Sequence, residues 1–541
     1  MNSLHSIITD KVITAARKSF QQCEQILTSK DPRINRNDTF FVLILLGLWL
    51  ALVVFTETRH EFWRDEIRAL SLARQAGSPL DLFGLIQYDG HPILWYLLLY
   101  VAYNIFQTQA VLPILAVLIG FAAVTLFMFL ARLPLWFKTL FIFSALPFYE
   151  YSVMARNYGI SMLLMFTVAA IYCQRAQKPY GLALSLALLA NTNVYSTVLA
   201  GLFGFIWLWD TLAERESTTF KQRVIRVYLP LVIVLLGCLM SAAVVFPKEN
   251  TILTTANTGI SKRLILKTAA MSILRPDTFF EWIVPNTLPV WLIDTLFLLT
   301  LIGLIQRPNL FLSAIGAQVA FGVITEFVYE GYYRHEGLYL VFVITLYWML
   351  AETEPLGKPC RYLRFLSQIG LYGAVGVIVF FNVALSTVIL PEDWSSPLSS
   401  GKAFGELLTQ TPELMNAIII ADPDYFMETL PYYAPNQIYF PRESRFGTTV
   451  SWTTNSAVSL SMRDLLNVAR EIKSSTKQPV LLVLGHLHID PNTDGSIVFS
   501  YNKHFSWTAA DMEEFYNSTE LIREFVSAIS SENYCVYEFV R

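Results

Sequence analysis

The residues best suited to chemistry lie in a polar interval, 57–92, between two apolar stretches. Asp65 and Glu66 stand side by side in WRDEIRALSLARQ, whose apolar spacing predicts a helix. A carboxylate here could accept the proton of an attacking hydroxyl as a general base, or bind a metal ion. Neighbours on a helix point about 100° apart, so we expect only one of the two to face a given site. The alternative is a solvated helix face paired with Arg64 or Arg68.

The interval ends in Tyr88-Asp89-Gly90-His91-Pro92. Glycine allows a positive φ and proline starts the next helix, so these residues predict a tight turn. His91 could contact a phosphate or stabilise a leaving group, and Tyr88 and Asp89 could contact a substrate. The alternative is a turn in which His91 caps the following helix.

Two later segments place an arginine beside aromatic residues. Arg156 and Tyr158 begin one apolar stretch, and Arg334 and His335 precede another. The planar fork of an arginine can make two bonds to a phosphate, so both segments are candidate phosphate sites. The alternative is a belt of interfacial arginines and tyrosines that anchors the membrane helices.

A third basic segment, 247–286, is long and of mixed polarity, which predicts an amphipathic interfacial helix or a lid over a lipid-facing groove. Its Lys262 and Arg263 could bind a lipid phosphate, although any basic interfacial helix attracts lipid headgroups. His486 and His488 lie near a predicted strand end with no third ligand nearby, which favours a loop over a metal site.

The composition predicts a membrane protein with several spans. Of 541 residues, 54% are hydrophobic and 15% charged, against roughly 25% charged in soluble proteins. The net charge of −3 gives no indication of nucleic acid as a partner. No glycine-rich phosphate loop is present, so we expect no required cofactor, with a divalent metal compatible with the chemistry.

The basic linkers indicate the topology. The N-terminal segment, 1–38, is basic and is expected in the cytoplasm. The apolar stretch 92–106 is short for a hydrocarbon core of roughly 30 Å. If it stays on the outer face as a re-entrant or interfacial helix, all four later basic linkers face the cytoplasm, as the positive-inside rule favours. The predicted spans are then 40–56, 110–131, 138–152, 158–173, 180–192, 194–211, 228–246, 287–306, 309–328, 338–352 and 365–390.

Eleven spans place residues 391–541 outside the cytoplasm, beyond a plasma or inner membrane. Short apolar runs there predict strands and two amphipathic stretches, 459–475 and 509–531, predict helices, which together indicate a small α/β domain. The fold class is therefore a mainly helical polytopic membrane bundle with a C-terminal α/β domain. Its membrane domain is expected over 39–390, including a first outer loop, 57–109, with juxtamembrane helices.

These motifs resemble those of the GT-C membrane glycosyltransferases, in particular the protein mannosyltransferase and aminoarabinose transferase group and its bacterial relatives of glycosyltransferase family 39 type. Asp65-Glu66 matches the first-loop acidic motif of that group. Gly90-His91-Pro92 matches its GHPP segment, except that Ile93 replaces the second proline. Segments 154–158 and 333–337 are similar to its ARxY and RHxG stretches, and the resemblance covers about 40–390.

The resemblance implies an inverting transfer of one sugar from a polyprenyl-phosphate donor to an acceptor glycan, lipid or protein outside the cytoplasm, as in building a cell-envelope glycan. It implies a first-loop carboxylate as the base, Asp65 first and Glu66 second. The remaining candidates for donor binding are His91, Arg156, Tyr158, Arg334, His335, Lys262 and Arg263.

Two other classes stay open from the sequence. A secondary transporter would usually show an inverted repeat and polar residues in the middle of its spans, whereas the ionisable residues here lie at span ends. A non-catalytic membrane scaffold with a binding domain would tolerate replacement of the acidic residues in 60–92. An O-antigen-ligase-type enzyme would place its main residues in a late large loop.

Overall fold

The structure is a computed structural model that describes residues 36–213, 219–246, 261–352, 361–485 and 490–541. The predicted cytoplasmic segment lies almost entirely outside these ranges, as do His486 and His488. The membrane part consists of helices, which satisfy their own backbone polar groups where no water is available. In chain order they are α1 (Arg36–Glu57), α2 (Arg64–Gln75), α3 (Asp81–Leu85), α4 (Leu94–Phe106), α5 (Val111–Leu130), α6 (Leu135–Ile142), α7 (Tyr158–Tyr172), α8 (Pro179–Ala190), α9 (Val194–Ala213), α10 (Phe220–Val245), α11 (Lys262–Leu274), α12 (Val290–Ile302), α13 (Pro308–Phe327), α14 (Tyr333–Glu352) and α15 (Tyr362–Ser395).

The predicted fold class, a membrane helix bundle with a small C-terminal sheet domain, is confirmed. Within the described ranges, six helices are long and apolar enough to cross a membrane, namely α1, α5, α9, α10, α13 and α15. Shorter apolar helices accompany them, namely α4, α7, α8 and α12. Every one of the eleven predicted spans contains helical residues.

One predicted boundary is wrong, because the span predicted to begin at 338 belongs to α14, which begins at Tyr333. Glu336, in the first turn of this helix, accepts hydrogen bonds from the backbone N–H groups of residues 281–283, at 2.9–3.1 Å. A carboxylate in the first turn also stabilises the helix N-terminus. Arg334 is therefore held on a helix rather than in a loop.

The interrupted region 180–211 forms two helices joined by a turn at Asn191-Thr192-Asn193. The Asn193 side chain accepts a hydrogen bond from the Ser196 N–H, at 2.9 Å, and so caps α9. The Asn191 carbonyl accepts from the Leu94 N–H at the start of α4, at 3.0 Å. The turn therefore also positions the helix that follows the first outer loop.

Helix α4 packs against α2. Its first N–H contacts the Asn191 turn, and the Tyr100 hydroxyl donates to the Gly77 carbonyl at 3.4 Å. Just beyond its last residue, the Gln109 amide donates to the Tyr432 carbonyl of the C-terminal domain, at 2.7 Å. The placement of 92–106 as a juxtamembrane element stays a prediction.

The C-terminal domain is built on a six-stranded sheet of order β3-β2-β1-β5-β9-β8, with a separate three-stranded sheet of order β4-β7-β6. In the larger sheet, β1 pairs in parallel with β2 and β5, and the outer pairings are antiparallel. Alternate residues of β1 enter apolar clusters on opposite faces of the sheet, which explains its continuous apolar sequence. The strands are β1 (Ile418–Asp422), β2 (Ile438–Phe440), β3 (Arg445–Gly447), β4 (Ser459–Ser461), β5 (Val480–Leu484), β6 (Gly495–Phe499), β7 (Lys503–Trp507), β8 (Thr519–Phe525) and β9 (Tyr534–Phe539), and the helices are α16 (Gly401–Gln410), α17 (Leu430–Tyr433), α18 (Met462–Thr476) and α19 (Ala509–Ser518).

The prediction of one helix over 509–531 is wrong from Thr519 onward. Helix α19 ends at Ser518, and the next seven residues form β8, which pairs antiparallel with β9. Thr519 lies opposite Phe539 and Phe525 lies opposite Tyr534 in this ladder. The ladder supplies hydrogen-bond partners for the backbone groups along one edge of β9. Residues from Thr519 onward therefore form a strand, although their amphipathic pattern predicts a helix.

A buried ion pair joins the ends of β1 and the segment after β2. Arg442 donates to both carboxylate oxygens of Asp422, at 2.7 and 3.2 Å, and both side chains are fully buried. The same guanidinium also donates to three backbone carbonyls. Removing one member of such a pair leaves a charge without compensation in a dry environment.

We predict that Arg442→Met lowers the free energy of unfolding by about 3–5 kcal/mol, because the buried Asp422 carboxylate loses its counter-charge. Arg463→Met is the matched control, since that arginine is half exposed beside Asp511 and exposed pairs are worth about 0–1 kcal/mol. Thermal unfolding of the full chain in detergent measures both. Equal losses in the two variants would contradict the prediction.

Candidate functional site

The candidate site centres on an ion pair between Asp65 on α2 and Arg156, which lies just before α7. Arg156 Nη1 donates to Asp65 Oδ2 at 2.7 Å. The Arg156 side chain is 10% exposed, whereas a third of the Asp65 side chain is accessible. The two residues are 91 positions apart, so only the fold brings them together. An accessible carboxylate in an otherwise enclosed cluster is suited to exchange a proton with a bound molecule.

Two more guanidinium groups act on Asp65. Arg64 Nε lies 3.6 Å from Asp65 Oδ1, and Arg334 lies over the Trp63 ring at 5.1 Å. Burial would raise the pKa of the Asp65 carboxyl, but Arg156, Arg64 and Arg334 outweigh burial and hold this pKa well below its usual range. Asp65 is therefore a carboxylate at neutral pH.

Arg334 differs from its neighbours because its guanidinium forms no close ion pair within the described chain and acts on Asp65 only through its charge. Its contact is the face of Trp63, and its backbone carbonyl accepts from the Tyr151 hydroxyl at 2.8 Å. Arg156, by contrast, is already paired with Asp65. Arg334 thus presents five N–H donors that are open to an anion.

His91 lies against the same arginine. Its Nε2 is 3.3 Å from Arg156 Nη2, and its buried Nδ1 has no hydrogen-bond partner within the described chain. Burial and the positive charge of Arg156 lower the pKa of His91 to about 4. A neutral His91 accepts from Arg156 through Nε2, so its proton is assigned to Nδ1. This Nδ1–H is a second unpaired donor beside the site.

Glu66 does not share the exposure of Asp65. Its side chain is fully buried, and its oxygens accept from the Ala155 N–H at 2.7 Å and the Trp63 N–H at 3.1 Å. The two neighbouring carboxylates therefore point to different environments, as their spacing on a helix predicts. The geometry favours Asp65 over Glu66 as the group that meets a substrate.

Tyr158 and His335 lie beneath Arg156 and bind each other. The Tyr158 hydroxyl and His335 Nε2 are 2.8 Å apart, and His335 Nδ1 accepts from the Tyr332 N–H at 3.0 Å. Arg156 lies over the Tyr158 ring, 5.7 Å from its centroid. Both side chains are buried. They therefore hold the arginine in place and are not themselves accessible to a bound molecule.

The turn at 88–92 forms as predicted, with Gly90 at φ 72°. Asp89, expected to contact a substrate, instead pairs with Arg68 and accepts from the Tyr96 hydroxyl. Tyr88 is half-buried and makes no side-chain hydrogen bond within the described ranges. The acid of this turn therefore holds the outer loop together.

Lys262 and Arg263 occupy the first turn of α11, where both are exposed. Neither forms an ion pair within the described part of the chain, and neither contacts Asp65 or Arg156. Their surroundings fit an interfacial helix. Of the predicted site residues, the fold brings together Asp65, His91, Arg156 and Arg334 with the supporting Tyr158 and His335.

Sequence reasoning missed the role of Arg68, which joins the outer loop to the C-terminal domain. Its guanidinium pairs with Asp89 and with Glu428, and donates to the Val450 carbonyl at 3.1 Å. The C-terminal domain also contacts the loop through the Tyr433 hydroxyl, which accepts from the Phe62 N–H at 3.0 Å. In the sequence, this role is indicated only by the position of an arginine on the apolar face of α2.

Within the described residues, no group of three or more histidine, cysteine, aspartate or glutamate side chains is arranged to hold a metal ion. The expectation of a reaction that requires no cofactor, with a divalent metal compatible with it, stays a prediction.

Comparisons with known proteins give similarities to solved structures, but not to known sequences. No family model matches this chain, and no curated protein sequence matches it. Among solved structures, the chain is similar to the apo crystal structure of ArnT from Cupriavidus metallidurans, with 12% identity and a TM-score of 0.47. The similarity covers 92% of this chain and 98% of that chain. An identity this low leaves function to be argued from the residues of the site.

We predict that Arg68→Met destabilises the protein by about 3–5 kcal/mol, because it leaves Asp89 and Glu428 as buried acids without their shared cation. Arg334→Met is the matched control, since Arg334 forms no close ion pair within the described chain and its nearest contact, with Trp63, is worth about 0.5–1 kcal/mol. Thermal unfolding in detergent measures the difference. A larger loss for the Arg334 variant would contradict the assignment of an unpaired Arg334.

Proposed function

We propose that this protein transfers a single sugar from a polyprenyl-phosphate donor to an acceptor glycan, lipid or protein on the outer side of the membrane. The observation that carries the proposal is the unpaired Arg334 beside the Asp65–Arg156 pair. The site thus offers an accessible carboxylate and an anion-binding guanidinium at one end of a membrane helix bundle. The motif resemblance to the GT-C glycosyltransferases supports the same reaction class.

The charge balance fits a lipid phosphate as the leaving group. Three guanidinium groups, from Arg64, Arg156 and Arg334, act on the carboxylate of Asp65. Their positive charge favours the extra negative charge that a phosphate acquires when its bond to the sugar breaks. The Nδ1–H of His91 adds a neutral donor next to Arg156.

The chemical step follows from these positions. An acceptor hydroxyl attacks the anomeric carbon from the face opposite the phosphate, and its proton passes to Asp65. The bond between the anomeric carbon and the phosphate oxygen breaks, and the polyprenyl phosphate leaves with the electron pair. One displacement of this kind inverts the anomeric configuration. The scheme uses no metal, and transfer is expected to persist in the presence of a chelator.

The Asp65–Arg156 pair also implies an order of binding. While Arg156 holds Asp65, the depressed pKa makes the carboxylate a weak base. A donor phosphate competes for Arg156 as well as occupying Arg334, and loss of the opposing charge raises the pKa of Asp65. The donor therefore binds first and activates the base for the acceptor.

The surrounding membrane elements have matching roles in this proposal. The prenyl tail enters between the membrane helices, and the exposed Lys262 and Arg263 on α11 contact lipid headgroups at the outer interface. The N-terminus is cytoplasmic and the C-terminal domain extracytoplasmic, in a plasma or inner membrane. Incubating the purified protein in lipid with a panel of polyprenyl-phosphate sugars tests the function directly. Solute flux in vesicles without transfer would favour a transporter instead.

We predict that Asp65→Asn lowers transfer by about 10²–10⁴-fold, the contribution typical of a general base. Asp81→Asn in the same outer loop is the matched control, because its one contact, with the Ser78 N–H, can be made by either side chain. Folding of both variants is checked by thermal unfolding. Retention of more than a tenth of wild-type transfer by Asp65→Asn would contradict the role of Asp65.

We predict that Arg334→Met raises the KM for the donor by about 10–100-fold, since a hydrogen bond to a charged group contributes about 1.5–3 kcal/mol. Polyprenyl phosphate without sugar should inhibit the wild type competitively against the donor, and should inhibit the variant more weakly by a similar factor. Initial rates with both substrates varied provide the measurement. Inhibition competitive against the acceptor would contradict donor-first binding.

A further inference from the structure

A series of buried contacts begins directly beneath the site, at Glu66. One carboxylate oxygen of Glu66 accepts from the Ala155 N–H at 2.7 Å, and the other accepts from the Trp63 N–H at 3.1 Å. Ala155 precedes Arg156 in the chain, and Glu66 follows Asp65. The two backbone segments that carry the Asp65–Arg156 pair are therefore joined by a carboxylate that is itself fully buried.

His60 continues the series toward the last membrane helix. Its Nε2 lies 3.2 Å from Glu66 Oε2, and its Nδ1 lies 2.9 Å from Asp393 Oδ1. The same Asp393 oxygen accepts from the Tyr149 hydroxyl at 2.7 Å. The side chains of His60, Glu66 and Asp393 are 0%, 0% and 4% exposed, so each contact is made away from water.

The geometry defines the protonation state of His60. A neutral imidazole has one N–H donor, but both ring nitrogens here face carboxylates, which accept and do not donate. His60 is therefore an imidazolium that donates to both acids. Burial alone would lower the pKa of His60, but Glu66 and Asp393 outweigh burial and raise it well above its usual value. One imidazolium thus lies between two buried acids.

We propose that His60, Glu66 and Asp393 form a positioning relay, which holds the side chains of Asp65 and Arg156 in the relative position that the transfer reaction requires. The role rests on the function proposed above, because it acts through Asp65. None of the three side chains touches the substrate. The relay connects the end of α15, through the loop before α2, to the segment before α7. The position of α15 therefore affects the positions of Asp65 and Arg156.

The alternative is a purely structural network, in which loss of a contact would lower stability without a specific effect on catalysis. A positioning relay makes a different prediction. Displacing Asp65 from the reacting hydroxyl should reduce kcat by a larger factor than it raises the KM for the donor. A conservative replacement that preserves the acceptor atom should then restore kcat.

Asp393 offers a matched set of variants for this test. Asp393→Asn keeps an oxygen that can accept from Tyr149 and His60, whereas Asp393→Leu removes both contacts at similar volume. Glu392→Leu is the control, because this neighbouring acid is exposed and makes no side-chain contact within the described chain. We expect kcat to fall about 10–100-fold in Asp393→Leu, with donor KM changed less than about 3-fold. In Asp393→Asn and Glu392→Leu, we expect kcat to stay within about 3-fold of wild type.

Hydrogen exchange supplies a readout that does not depend on transfer. In Asp393→Leu, the relay predicts faster amide exchange in both peptides 60–68 and 151–158, with Asp393→Asn and Glu392→Leu unchanged. Should Asp393→Leu fail to fold, His60→Asn breaks the link to Glu66 alone and carries the same expectations.

Each outcome bears on the relay. Unchanged exchange in Asp393→Leu, or in His60→Asn, would overturn it, and so would faster exchange with wild-type kcat. An equal fall of kcat in Asp393→Leu and Asp393→Asn would also overturn it, because the retained oxygen would then have no effect. If wild-type protein transfers no sugar while exchange responds as expected, the proposed function fails and the network is a structural clamp rather than a positioning relay.

Discussion

The structure of the candidate site depends on one contact, the hydrogen bond from the Ala155 N–H to the buried carboxylate of Glu66, at 2.7 Å. A buried carboxylate is costly unless hydrogen bonds and opposite charge compensate it. The Trp63 N–H and His60 supply that compensation. Meeting this requirement brings α2 against the segment before α7, and the Asp65–Arg156 pair follows from that juxtaposition.

The C-terminal domain completes the enclosure of the first outer loop. Arg68 is held between Asp89 of that loop and Glu428 of the domain, and the Phe62 N–H donates to the Tyr433 hydroxyl. The loop is thereby packed between the membrane helices on one side and the sheet domain on the other. A domain without a recognisable sequence motif thus contributes directly to the order of α2.

Two clusters of charged side chains lie at the two ends of the bundle, and only the cluster around Asp65 is suited to chemistry. At the opposite end, Asp210 accepts from the Tyr172 hydroxyl, from Arg307 and from Asn309, at 2.7–3.2 Å. All of these side chains are buried, and the acid has its hydrogen bonds satisfied. The cluster at the candidate site instead leaves Asp65 accessible and Arg334 without a close ion pair within the described chain. Incomplete pairing in an enclosed place is the property expected of a binding site.

The sequence by itself determined the membrane character, the helix of α2, the glycine turn at 90 and the α/β class of the last domain. These features depend on neighbours close in the chain, whose spacing and backbone preferences are visible in a single sequence. Tertiary structure decided that Asp65 is accessible while Glu66 is buried, that Arg156 is paired while Arg334 is not, and that Thr519 begins a strand. Those outcomes depend on partners such as Ala155, 89 positions from Glu66. No local pattern encodes which distant backbone group will satisfy a buried charge.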